Sequence, residues 1–292
     1  MTLALVKWYL RLGGICDYGT LQLGVNFICH NDLWYNGAVN LKEKKGCMMT
    51  LEVSHVVGGY SQIPVLKDIS FDVKDGELVG LIGLNGAGKS TTINHVIGLL
   101  TPHKGKITLN GVTIDQDSQA YKQQIAYIPE TPVLYQELTL REHLEMTMMA
   151  YDLDQQVAWK TAHELLKTFR LDNKLDWFPA NFSKGMKQKV MIVCAFLTQA
   201  KLFIIDEPFL GLDPLAVNDL LHLIESRKQQ GASVLMSTHV LDTAQRYCDR
   251  FVLLHDGQVK TEGTLSELQA ALPEAGESLN DIYLSMTKVD RS

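Results

Sequence analysis

The sequence predicts an α/β fold with a mostly parallel sheet, an antiparallel β unit at its start and an α-helical insertion in its middle. Three observations carry this. From about residue 77, short apolar, β-branched runs alternate with longer segments of helical period. Two strand-like runs, Leu51 to Val57 and Pro64 to Val73, precede that alternation. Between Leu140 and Thr198 only helical patterns occur.

The elements follow in order. Glu77 to Ile82 reads as a buried strand leading into a glycine-rich loop, and a helix runs from Gly88 to about Leu100. Lys106 to Leu109 and Gln124 to Ile128 are strands, and Leu140 to Met149 and Gln155 to Phe169 are helices. Ser183 to Thr198 is helix, Lys201 to Ile205 strand, Pro214 to Arg227 helix and Ser233 to Ser237 strand. A further helix follows His239, Phe251 to Leu254 closes the sheet, and two short helices lie between Glu267 and Ser285.

Composition limits the function classes. The chain has 292 residues, 46% hydrophobic and 21% charged, enough apolar content for one large domain or two modest ones. A net charge of −6 argues against a surface devoted to nucleic acid. No window reaches the roughly 18 uninterrupted apolar residues of a membrane span, so the chain is not expected to cross a bilayer itself. The five cysteines include no CxxC pair, which suits a reducing compartment and supports neither a disulfide framework nor a zinc site. Cys194 and Cys248 lie in apolar helical patterns and read as small core residues.

Met1 to Cys47 differs from the rest. It holds three of the five cysteines and two of the four tryptophans, with no sustained periodicity. Met48-Met49 opens directly onto a strand pattern. The expectation is that residues 1–47 are a mis-assigned upstream reading frame, the alternative being a disordered or partner-binding extension. Residues 48–292 then form one domain, with a helical subdomain at about 131–200.

Four segments carry chemistry. Gly83-Leu-Asn-Gly-Ala-Gly-Lys-Ser90 matches G-x-x-x-x-G-K-[ST] between a strand and a helix. The glycines Gly83, Gly86 and Gly88, with Asn85, let backbone N–H groups wrap phosphates at the positive end of the following helix. Lys89 would reach the β- and γ-phosphates, Ser90 would bind Mg²⁺, and Thr91 completes the loop. This makes the chain a P-loop NTPase that takes a nucleoside triphosphate, ATP before others. The apolar strand Leu202 to Ile205 ends in Asp206 and Glu207, and buried carboxylates there need a metal or a partner. Asp206 suits Mg²⁺, and Glu207 suits a general base acting on water. His239 follows the next buried strand, where a contact to the γ-phosphate would hold phosphate, water and Glu207 in register. Asn181-Phe-Ser-Lys-Gly-Met-Lys-Gln188 opens a helix, and a serine with a nearby glycine there forms an anion-binding nest or a plain helix cap.

Taken in that order, these segments resemble ATP-binding-cassette (ABC) ATPases, and the fold implied is an ABC nucleotide-binding domain. The family's signature is usually Leu-Ser-Gly-Gly-Gln. Here Phe182, Lys184 and Met186 depart from it, while Ser183 and Gly185 match the positions that contact the γ-phosphate across a dimer. Tyr60 matches the aromatic that stacks on adenine. Leu210-Gly-Leu-Asp213 resembles the loop along the dimer interface. Glu130 stands where the family usually has a γ-phosphate-sensing Gln; a carboxylate there suits Mg²⁺ or a water but cannot donate a hydrogen bond unless protonated. That variant resembles cassettes with exporter-type or otherwise poorly defined membrane partners. Ile128 to Tyr135 and Phe182 to Lys189 look most like the ATPase subunits of a two-component transporter of Gram-positive bacteria.

The resemblance covers Met49 to the end. It implies ATP and Mg²⁺ as cofactors, a second cassette as homodimer partner, and a membrane permease subunit. The cassette would sit at the cytoplasmic face of the cell membrane through that permease. Rival readings are a soluble ABC ATPase of DNA maintenance, a translation-type ABC factor and a P-loop kinase. The first would carry long coiled coils, the second two cassettes, and the third would have no use for a signature segment or His239; none of these patterns fits.

Overall fold

The computed structural model describes residues 49–289, and the expectation for residues 1–47 lies outside them. Two sheets form the frame. The larger has the strand order β5-β6-β7-β3-β8-β9. It comprises β3 (Leu78–Ile82), β5 (Ile125–Ile128), β6 (Leu202–Asp206), β7 (Ser233–Thr238), β8 (Arg250–His255) and β9 (Gln258–Gly263). The first five pair in parallel and β9 runs antiparallel to β8. Every residue of β3, β6 and β7 is buried, as strands covered on both faces must be. Their register sets Asp206 opposite Ser237 and Ile82 opposite Thr238. The C-terminal ends of three central strands therefore emerge side by side, the usual place for a ligand in a parallel sheet.

The smaller sheet is antiparallel, with β1 (Met49–Gly58) between β2 (Leu66–Lys74) and β4 (Lys104–Leu109). Helix α1 (Lys89–Val96) follows β3, and the short α2 (Ser118–Lys122) precedes β5. Between β5 and β6 lie α3 (Leu140–Ala150), α4 (Gln155–Thr168) and α5 (Lys184–Leu197). These are the expected helical insertion. Thr139 and Glu142 form a capping box at α3, Asp154 caps α4 and Ser183 caps α5, so each start is written locally. Phe169, Phe182, Phe196 and Phe203 help bind the insertion to the sheet in one core. Helices α6 (Pro214–Gln229), α7 (Leu241–Tyr247), α8 (Leu265–Ala271) and α9 (Leu279–Val289) complete the described residues. No helix among them is long and apolar enough to cross a membrane.

Four details differ from the sequence reading. Helix α1 stops at Val96 rather than near Leu100, because the chain turns through Gly98 (φ +75°) and both Leu99 and Leu100 donate to Asn94 O. Strand β4 begins at Lys104, two residues before Lys106, where it meets Val57. The five-residue α2 is held by the Asp117 side chain and is too short to show a period. Strand β8 does not close the sheet; β9 does, through a tight turn at Asp256-Gly257 (φ +48° and +72°). Asp-Gly between strands is a hairpin signal. Gly257 also has no room for a side chain, since a Cβ would lie 1.8 Å from Val65 O. Cys194 and Cys248 are free, and burial pushes their thiols up to about 11 and about 12, consistent with core roles.

One buried guanidinium joins the sheets. Arg250 donates to Glu77 at 2.8 and 3.1 Å, to the Asp72 carbonyl at 2.6 Å and carboxylate at 3.1 Å, and to Glu262 at 3.3 Å. It thereby links β2, the entry to β3, β8 and β9. Removing one member of such a network strands the other charges in low dielectric. Arg250→Ala is expected to lower the unfolding free energy by about 3 kcal/mol, read from a urea titration followed by circular dichroism.

Candidate active site

The loop between β3 and α1 has the backbone that its glycines require. Gly86 (φ +83°) and Gly88 (φ +110°) occupy the left-handed region. Gly83 is closely packed, with Leu254 O and Ala87 Cβ each 2.8 Å from where a Cβ would stand. Asn85, Gly86 and Ser90 are exposed, while Lys89 and Thr91 are buried. The Lys89 ammonium donates to Gly83 O at 2.7 Å and lies 3.7 Å from Glu207 Oε1.

The next two strands bring the acids. Asp206, the last residue of β6, accepts a short hydrogen bond from Ser237 Oγ across the parallel register. Burial holds its carboxyl above the usual carboxylate range; Glu130 and Glu207 add to the shift, and the Ser237 hydrogen bond and Lys89 oppose it. Glu207 follows with φ +46°, a conformation that costs a non-glycine residue about 1–2 kcal/mol. Its N–H donates to Ser237 O at 3.1 Å, which turns the carboxylate out of the sheet. Glu207 Oε1 then meets His239 Nδ1 at 2.8 Å. Glu207 is only 8% exposed, whereas the His239 side chain is 44% exposed.

Lys89, Asp206, Glu207 and His239 are thus gathered at one edge, with Glu130 within electrostatic reach of Asp206. Tyr60 is 65% exposed, its hydroxyl accepting from Asn94 of α1 at 2.9 Å, and Tyr127 lies within electrostatic reach of it and of Asp206 and Glu130. Ser183 and Gly185 are not joined to this group. Among the described residues no hydrogen bond or ion pair joins them to Gly83–Thr91. Ser183 caps α5 by accepting from Met186 N at 3.2 Å, and it remains exposed. Gly185 is glycine for a reason beyond any ligand: a Cβ would lie 2.5 Å from Gly211 O. The loop Leu210 to Asp213 therefore rests on the start of α5, and Lys189 pairs with Asp213 at 2.6 Å to hold it there.

Sequence reasoning missed Ser237 and Gln188. Ser237 becomes visible only once the register places it opposite Asp206. Gln188 on α5 is 1% exposed and donates to Pro129 O at 3.2 Å, tying that helix to the peptide before Glu130. Its Oε1 is buried without a partner. No local pattern in the chain announces either contact.

The residues fit a magnesium ion carried in with its nucleotide. Mg²⁺ usually keeps waters and phosphate oxygens and takes only one or two protein oxygens. The exposed Ser90 hydroxyl and the Asp206 carboxylate would supply that many. Among the described residues no three or more His, Cys, Asp or Glu side chains gather in a way that would hold a metal unaided.

Fold and site together define a P-loop nucleoside triphosphatase. Comparison with known proteins narrows the class. The ABC transporter family model matches residues 66–210. The chain is 59% identical over 243 residues to EcsA, an ABC-type transporter ATP-binding protein of Bacillus subtilis (strain 168), covering 83% of this chain and 98% of that one. A solved ATP-binding subunit of an ABC transporter superposes with a TM-score of 0.80 at 54% identity, covering 82% of this chain and 99% of that one. A dimeric ATP-binding cassette in a post-hydrolysis state, bound to ADP and Pi, gives a TM-score of 0.66 at 25% identity, covering 73% of this chain and 98% of that one. The chain belongs to the ABC transporter ATP-binding subunits, which bind and hydrolyse ATP as paired cassettes beneath a membrane permease.

A pH-dependent stability follows from Asp206. Its carboxyl holds a proton to higher pH in the fold than in the unfolded chain, so the fold loses stability as pH rises through the folded value. Asp206→Asn removes that penalty. The nucleotide-free variant is expected to melt higher than the parent at pH 7, the gap narrowing as pH falls towards about 4, in thermal unfolding at stepped pH.

Proposed function

We propose that this chain energises an exporter-type permease by hydrolysing MgATP in sites that each draw on two copies of the cassette. The observation that carries the reading is Glu207, buried yet turned outward, 2.8 Å from His239 and 3.7 Å from Lys89. The backbone of Gly83, Asn85, Gly86 and Gly88 cradles the triphosphate, Lys89 and Thr91 bind its phosphates, and Tyr60 stacks on the adenine. Ser90 and Asp206 would hold Mg²⁺, with Glu130 reaching the ion directly or through a water, and the ion would screen the charge on the phosphate oxygens. Glu207 accepts a proton from the attacking water as the water oxygen bonds to the γ-phosphorus and the bond to the ADP oxygen breaks. His239 keeps Glu207 and the γ-phosphate in line.

Ser183 and Gly185 face the γ-phosphate held by the second copy. That no hydrogen bond or ion pair joins them to the phosphate loop among the described residues of one chain supports that reading, as does the dimeric state of the cassette bound to ADP and Pi. The cassette spans residues 48–292, with its helical subdomain at about 131–200. A groove between that subdomain and the core receives the permease, which we take to resemble EcsB and to hold the cassette at the cytoplasmic face of the membrane. Glu130 in place of the usual Gln supports the exporter-type reading of the permease. No nucleic acid is involved.

Glu207→Gln should bind ATP, lose turnover by about a hundredfold or more, and accumulate a closed dimer in size-exclusion chromatography. Unchanged turnover would remove Glu207 as the base. Lys89→Ala should abolish tight nucleotide binding in a titration with a fluorescent ATP analogue, and retained affinity would contradict the loop assignment.

A further inference from the structure

We propose that Tyr283, on the last described helix, is a positioning residue for Lys89. The Gly83–Leu84 peptide group is held at both ends. Its carbonyl, Gly83 O, accepts from Lys89 Nζ at 2.7 Å. Its N–H, on Leu84, donates to the Tyr283 hydroxyl at 2.9 Å. The hydroxyl in turn donates to Leu254 O at 3.2 Å. That same carbonyl lies against Gly83, closing a small ring of contacts around the start of the phosphate loop.

A peptide group is planar, so fixing its N–H fixes its carbonyl. The direction of Gly83 O, and through it the resting place of the Lys89 ammonium, depends on where Tyr283 puts its oxygen. Tyr283 has little freedom to move. It is 1% exposed and packs in a cluster with Ile82, Phe251, Leu253, Leu279 and Ile282. Helix α9 is itself tethered where Leu279 N donates to the Gln245 side chain at 2.7 Å. The C-terminal helix is therefore part of the nucleotide site although it touches no expected phosphate position. Without the hydroxyl, the Leu84 N–H has no acceptor among the described residues and the peptide is free to rotate, taking the Gly83 carbonyl from Lys89.

The inference rests on the reading that Lys89 binds the phosphates, and its test separates the two. In the full-length chain, Tyr283→Phe keeps the ring and loses only the hydroxyl. Loss of one partly buried hydrogen bond predicts that KM for ATP and the dissociation constant of a fluorescent ATP analogue rise about five- to tenfold. Because Glu207 and His239 are untouched, kcat should stay within about twofold. Hydrogen exchange should quicken in the peptide containing Leu84. Arg250→Ala, which breaks the network between the sheets and touches neither Tyr283 nor the phosphate loop, should lower the melting temperature and leave KM near that of the parent. Unchanged KM in Tyr283→Phe, or an equal rise in both variants, would overturn the role of the hydroxyl. Retained affinity in Lys89→Ala would instead overturn the reading of the loop and this proposal with it.

Discussion

The site is organised by an imbalance of buried charge at the end of three parallel strands. Asp206 and Glu207 leave β6 side by side, and among the described residues Lys89 is the ammonium set against them, 3.7 Å from Glu207. Burial and the neighbouring carboxylates already hold Asp206 above its ordinary range. Such an arrangement is poor for an empty protein and good for one that binds a cation together with a polyanion. A magnesium ion would discharge Asp206, and phosphates would give the Lys89 ammonium a full partner. Much of the surrounding structure serves to keep these charges in place. Ser237 bonds Asp206, the left-handed turn at Glu207 aims its carboxylate, and the glycine loop brings Lys89 back under the sheet.

Much of this was legible in the chain because it is local. The lysine, its glycines, the strand before and the helix after lie within about a dozen residues, and the Asp-Glu pair announces itself by ending an apolar run. The long helices of the insertion were legible for the same reason, each carrying its own cap and period. Contacts made across the sequence were not. Ser237 opposite Asp206, Gln188 under Pro129 and Tyr283 beneath Leu84 depend on register and packing, and each involves an ordinary residue in an ordinary context. Strand β9 had a local signal in Asp256-Gly257, but its alternation of half-buried and exposed residues is weak beside the apolar run of β8.

The same contacts give the cassette its mechanical connections. Helix α5 begins at Ser183, supports the loop at Gly211 through Gly185, pairs Lys189 with Asp213, and reaches Pro129 through Gln188. A shift of the segment at Glu130 would therefore be felt at Ser183, and a shift at Ser183 would be felt beside the strand that carries Glu207. Conformational coupling needs such a physical path between elements with more than one arrangement. Here the path runs through one buried amide, one ion pair and one glycine contact.

The central claim is that each ATP is held by two chains, the phosphate loop of one and the Ser183 end of α5 from the other. Mixing two inactive variants tests it most directly. Lys89→Ala disables the loop. Ser183→Asp keeps a helix-capping side chain but sets a negative charge where a γ-phosphate must approach. In a mixed dimer one site carries both defects and the other carries neither. The mixture is expected to hydrolyse ATP well above either variant alone, in proportion to the mixed dimer formed. A mixture no more active than the average of its parts would contradict the claim and place the whole site within a single chain.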